Sequence, residues 1–215
     1  MNPFSALLDA QSMPAATARV WSVVVGVVTN NQDPDKLGRV KLRFPWLSDS
    51  EESFWARMAV PMAGNARGTF FLPEVDDEVL VAFEHGDLRF PYVLGALWNG
   101  KDAPPADNAD GKNNLRMITS RSGHVIKLND EDGKETVEIV DKSGKNSIVI
   151  DTAKNTLTVT TDKDIILSAA QGTIKLDAQK LEFKSSADTK IESGAGMDVK
   201  ASGTLNVKGV TINLN

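Results

Sequence analysis

The sequence predicts an all-β chain in two parts: a small closed barrel, then a long repetitive region that three copies wind into an intertwined β-helix, a triangular prism. Three observations predict it. Residues 19–100 hold five or six short β-branched segments between turn clusters, with no convincing helical period. Residues 115–215 repeat a pair of apolar residues at a nearly constant step. The chain has no cysteine and only two well-separated histidines, His85 and His124, so neither disulfides nor a histidine-rich metal site within one chain holds it together.

Residues 1–18, with Phe4, Leu7 and Leu8 and the run Met13-Pro14-Ala15-Ala16-Thr17-Ala18, are expected to be an N-terminal tail or docking arm. Residues 19–100 form the first domain. Its strands are expected over residues 20–29, 39–44, 56–60, 68–72, 78–83 and 91–97, with turns at Asn30-Asn31-Gln32-Asp33-Pro34-Asp35 and Glu84-His85-Gly86-Asp87. Alternation in Arg39-Val40-Lys41-Leu42-Arg43-Phe44 puts Val40, Leu42 and Phe44 on one face. So many short strands in about eighty residues suit an OB-fold barrel. The polar Pro/Gly/Asp segment at 101–114 reads as a linker.

From residue 115 the pattern changes. Gly123, Gly133 and Gly144 recur at steps of 10 and 11, each ahead of an i, i+2 apolar pair: Ile126/Leu128, Val137/Ile139 and Ile148/Ile150. Glycine turns between alternating strands predict a β-meander. Beyond residue 150 the step shortens to 7–9 residues. The pairs become Leu157/Val159, Ile165/Leu167, Ile174/Leu176, Leu181/Phe183, Thr189/Ile191, Met197/Val199, Leu205/Val207 and Ile212/Leu214. The residue between each pair is almost always polar.

Two apolar side chains per short strand do not offset an ordering entropy of roughly 1–2 kcal/mol per residue. Each strand also leaves backbone edges in need of partners. Three chains, each giving one strand per layer, solve both problems. The expected trimer core is therefore Leu157, Val159, Ile165, Leu167, Ile174, Leu176, Leu181, Phe183, Ile191, Met197, Val199, Leu205 and Val207. Eight layers at about 4.8 Å would extend such a needle by roughly 40 Å, and bending it would break many hydrogen bonds together.

The residues also carry a family resemblance. Asp33-Pro34-Asp35-Lys36-Leu37-Gly38-Arg39-Val40-Lys41, closing at Phe44-Pro45-Trp46, resembles the start of the OB domain in VgrG and phage baseplate spike proteins. So do the stretch from Gly68-Thr69-Phe70-Phe71 through Asp76-Asp77-Glu78 to Phe83, then Gly86-Asp87 and Pro91-Tyr92-Val93-Leu94-Gly95. Thr119-Ser120-Arg121-Ser122-Gly123-His124 is similar to the family's entry into the needle. The likeness spans residues 20–215; Asp76 departs from it, standing where the family often has glycine.

The resemblance implies a homotrimeric, membrane-puncturing central spike of a contractile injection system: a phage tail, a type VI system or an extracellular particle. Beginning almost at the barrel, the chain resembles the phage baseplate assembly protein V type, which docks on a separate hub protein. No lysozyme domain fits the linker, and the end carries no His-x-His iron motif. Its last residues, Val210, Thr211, Ile212, Asn213, Leu214 and Asn215, are expected to bind a PAAR-type tip protein. Tail tube and wedge proteins are further expected partners, with transient contact to the target membrane.

Other chemistry is weighed against this. Glu51-Glu52 and Asp76-Asp77-Glu78 are acid pairs better read as surface turns, and Asp130-Glu131-Asp132-Gly133 lacks the spacing of a calcium loop. His85 has no nucleophile motif near it. Trp21, Trp46, Trp55 and Trp98 suggest base stacking, but a net charge of −5 and the absence of a basic groove favour packing roles and no nucleic-acid partner. A β-helical polysaccharide depolymerase is the enzyme alternative, a single-stranded nucleic-acid binder the other. The eight acids and eight lysines from Asp151 onward are interspersed as on a solvated face, so neither an enzyme nor a cofactor is expected. There is no basic, apolar leader at the N-terminus, and the protein is expected to be made in the cytoplasm and delivered outward by the machine.

Overall fold

A computed structural model describes residues 19–48 and 50–213. The predicted arm at residues 1–18, and Leu214 and Asn215 of the predicted tip, lie outside the described residues. The chain divides into two units, one ending at Thr160 and one running from Thr161 to Asn215. Among the described residues there is no α-helix; the fold is all-β.

The first unit begins with a barrel of five main strands: β1 (Val24–Asn30), β2 (Lys41–Arg43), β3 (Arg57–Met58), β6 (Glu78–Phe83) and β7 (Pro91–Ala96). A two-stranded hairpin, β4 (Ala63–Gly64) and β5 (Arg67–Gly68), stands apart from the sheet. The order in the sheet is β2-β1-β6-β7-β3, antiparallel except for the parallel β3–β7 pair. Bridges Val40↔Ala56 and Arg43↔Glu52 join the segment entering β3 back to β2 and close the ring. Val40 and Ala56 exchange both backbone hydrogen bonds, at 3.0 and 2.7 Å.

Strand alternation fills the interior. Val40, Leu42 and Phe44 are buried, as their spacing predicts, with Val28, Ala56, Val79, Val81, Phe83 and Val93. Phe44 meets Phe83 edge-on at 5.5 Å between centroids, and its ring runs so close to Gly26 that a Cβ there would sit 3.0 Å from it. Gly26 is therefore the residue β1 needs at that point.

Two expectations shift. The first strand begins at Val24 rather than residue 20, because Val20 donates instead to the Gly86 carbonyl at 2.9 Å. The strand expected at 68–72 is replaced by the β4–β5 hairpin, which leaves Phe70 and Phe71 exposed outside any strand. Gly68, at φ +150, lies 2.6 Å (from an added Cβ) to the Met62 carbonyl, so the chain turns there.

No strand lies between Ala96 and Leu115. Then β8 (Leu115–Thr119), β9 (Val125–Asn129), β10 (Thr136–Val140), β11 (Ser147–Asp151) and β12 (Thr156–Thr160) form an antiparallel meander in chain order. The predicted pairs on β9, β10 and β11 face the same side. Leu157 and Val159, expected in the first layer of the needle, instead form the fifth strand of this sheet, opposite Ile150 and Ile148. The turn ahead of them contains no glycine; Asn155 takes the left-handed conformation at φ 53.

Candidate functional site

Cross-strand register aligns the apolar pairs of the meander into two rows. Ile118, Ile126, Ile139, Ile148 and Val159 are successive partners across all five strands. Leu128, Val137, Ile150 and Leu157 follow one another in the second row, with Arg116 at its β8 end. Within a single chain these rows are exposed: Ile139 at the centre keeps 50% of its surface in contact with solvent. The opposite face is the more covered one. There Lys127 and Glu138, direct partners on β9 and β10, form an ion pair at 2.8 Å with side chains 30% and 20% exposed. Lys127 and the Thr136 hydroxyl hold the Glu138 carboxyl below its ordinary value, against the opposing effect of burial. An apolar face open to water, backed by a half-buried ion pair, is the reverse of a self-sufficient sheet and marks an interaction surface.

The second unit carries the remaining predicted core residues. Every described residue from 162 to 213 is exposed, and no strand is formed there. The chain is nonetheless extended with alternating faces. Lys175 pairs with Asp177, Lys180 with Glu182 and Lys190 with Glu192, each an i, i+2 contact possible only when both side chains leave the same side. Ile174/Leu176 and Leu181/Phe183 alternate with those charges, so a charged face and an apolar face run side by side. Ile165, Leu167, Ile191, Met197, Val199, Leu205 and Val207 are likewise exposed, as are Val210 and Ile212 of the predicted tip; Thr211 and Asn213 are exposed with them.

On the barrel, the loop ahead of β2 is built around one carboxylate. Asp33 accepts from the backbone N–H groups of Asp35, Leu37 and Arg39, and from the Arg39 guanidinium at 2.7 and 2.8 Å. That guanidinium holds the Asp33 carboxyl far below the usual range. Asp76 adopts φ 76, a left-handed turn that accounts for glycine being frequent there in the resembling family. Arg89 grips Asp87 at 2.6 Å and lowers its pKa to about 2. Arg121, in the segment entering the meander, reaches Glu74 of the barrel at 3.0 Å.

The remaining sequence candidates have structural roles. Asp77 accepts from the Glu74 N–H, and Glu52 pairs with Lys41 at 3.1 Å. Asp130 pairs with Arg116, and Glu131 with Lys134, around the turn at Gly133. His85 sits in a 3-10 turn, and His124 Nδ1 accepts from the Lys142 N–H. Trp55 lies between Arg39 and Lys41, Trp21 beneath Arg19, and Trp46 beside Phe44, while Trp98 is exposed. Among the described residues no group of three or more His, Cys, Asp or Glu is placed to hold a metal ion, and no helix is long and apolar enough to cross a membrane.

Sequence reasoning missed a third feature, a groove of about 1220 Å³ on the barrel whose walls include Phe54, Met62, Phe70, Phe71 and Phe90. The adjacent Phe70-Phe71 held the signal: neighbours in a strand point to opposite faces, so one of two consecutive phenylalanines must leave the interior.

Comparison with known proteins places these surfaces. Residues 24–98 match the profile of the type VI secretion system/phage-baseplate injector OB domain. The chain is 27% identical over 156 residues to the type VI secretion system spike protein VgrG1a of Pseudomonas aeruginosa, covering 69% of this chain and 23% of that protein. It is 29% identical over 140 residues to the spike protein VgrG3 of Vibrio cholerae, covering 60% of this chain and 14% of that one. The actin cross-linking toxin VgrG1 of Vibrio cholerae is 29% identical over 137 residues, covering 60% of this chain and 12% of the toxin. The chain thus spans less than a quarter of the length of these relatives. With its injector OB barrel over residues 24–98 and a following β region that aligns with theirs, the chain belongs to the VgrG and phage-baseplate spike proteins.

Proposed function

We propose that three copies of this chain form the central spike of a contractile injection machine and serve it mechanically, without catalysis. The observation that carries this reading is the 52-residue stretch from 162 to 213, which alternates apolar and charged faces yet buries none of its residues within one chain. Backbone groups and apolar side chains arranged this way need partners from outside the chain. Identical copies supply them in register, because each presents the same pair at the same height. The two rows on the meander face the same three-fold axis and continue inward from the needle. The barrel docks on a baseplate hub, and the residues from Val210 onward present a blunt end to a PAAR-type tip protein. Stiffness follows from layers of cross-chain hydrogen bonds, and the driving force comes from contraction of the machine, which also delivers the spike outward through a target envelope.

Native mass spectrometry and negative-stain imaging of the purified chain test this. The expected result is a trimer with a tapered rod at one end. A folded monomer whose residues 161–213 are protected from amide exchange without any partner would overturn it.

A further inference from the structure

The aromatic groove on the barrel lies apart from the meander and the needle, and what covers it is a separate question. Phe70 and Phe71 are 79% and 63% exposed, and Phe54, Met62 and Phe90 line the same concavity, far more clustered apolar surface than a barrel of this size leaves to water. Arg57 and Arg67 add positive charge to the lining. Glu84, its carboxylate, is already engaged by the Tyr92 hydroxyl.

The chain itself arrives at this rim. Val20 donates to the Gly86 carbonyl at 2.9 Å and Arg19 to that of His85 at 3.3 Å, so the first described residues are bonded one and two positions along from Glu84. Upstream lie eighteen residues containing Phe4, Leu7 and Leu8, one acid, Asp9, and no basic side chain. The eleven residues from Leu8 to Arg19 reach up to roughly 35–40 Å when extended, enough to cross the groove from its rim. We propose that the groove is the seat of the chain's own N-terminal segment, with Phe4, Leu7 and Leu8 covering the phenylalanines and Asp9 meeting the arginines. The arm then serves as a built-in cover for the barrel's apolar flank, independent of how many copies assemble.

Because the sequence has no cysteine, Met62→Cys puts a single thiol in the groove. Its reaction with a maleimide is followed in the full chain and in the same chain carrying Phe4→Ser, Leu7→Ser and Leu8→Ser, substitutions that leave every described residue untouched. Labelling is expected to be on the order of fivefold or more faster once the arm is polar, since protection then requires no local opening. Equal rates overturn the proposal. Co-refolding the Met62→Cys chain with an excess of cysteine-free chains bearing the three serines decides whose arm it is. An unchanged slow rate is expected, whereas a rise to the fast rate assigns the seat to a second copy's arm and refutes the assignment to the chain's own.

Discussion

Replacing Ile139 with aspartate tests the assembly at its most exposed consequence. Ile139 sits at the middle of the longer apolar row, between Ile126 and Ile148, and half its surface is already solvated in one chain. In an isolated chain the substitution therefore costs only about 1 kcal/mol, mostly lost strand preference. In a trimer the row faces the axis. Each copy then loses about 1 kcal/mol from the half of the side chain that assembly buries, and each brings an unpaired carboxylate costing several kcal/mol into the same apolar layer. Three copies together lose on the order of 10–15 kcal/mol, more than the roughly 8 kcal/mol of a micromolar association. Size-exclusion chromatography with light scattering should find Ile139→Asp as monomer at micromolar concentration, with the barrel still folded. Glu138→Gln, on the opposite face, should leave the oligomer intact. An Ile139→Asp trimer as resistant to urea as the unmodified protein would refute the placement of this face on the axis.

Three further outcomes are expected. Gly26→Ala forces a Cβ to 3.0 Å from the Phe44 ring and should destabilise the barrel by about 1–3 kcal/mol, read as a lower midpoint in urea. Asp33, Asp87 and Asp141 are all held below the ordinary 3.8, Asp87 and Asp141 at about 2, by Arg39, by Arg89, and by Ser143 with Asn146 respectively. Depressed carboxyls contribute stability that is complete above about pH 4 and is lost as pH falls toward 2, so thermal midpoints should be level from pH 5 to 7 and drop steeply below 4; Asp33→Asn should shrink that drop. Asn155→Gly should leave the meander intact or slightly firmer at φ 53, while Asn155→Val should lower its melting temperature, as seen by circular dichroism.

Much of this protein is legible along the chain because strand faces are set by alternation, a property of neighbouring residues. Val40, Leu42 and Phe44 inside the barrel, β6 over 78–83, and the shared face of Ile126, Ile139 and Ile148 all follow from period two. The glycine turns at Gly123, Gly133 and Gly144 are equally local, each at positive φ. Partner choice is not local, and only the tertiary structure decided it. The sheet closes through Val40 and Ala56, and β12 joins the meander because Asn155 supplies the left-handed turn that glycine supplies elsewhere. Phe70 and Phe71 leave the core because Gly68 turns the chain before them. Periodicity tells a strand which side is apolar; which edge it pairs with depends on long-range register and turn geometry, and these are satisfied only when distant segments meet.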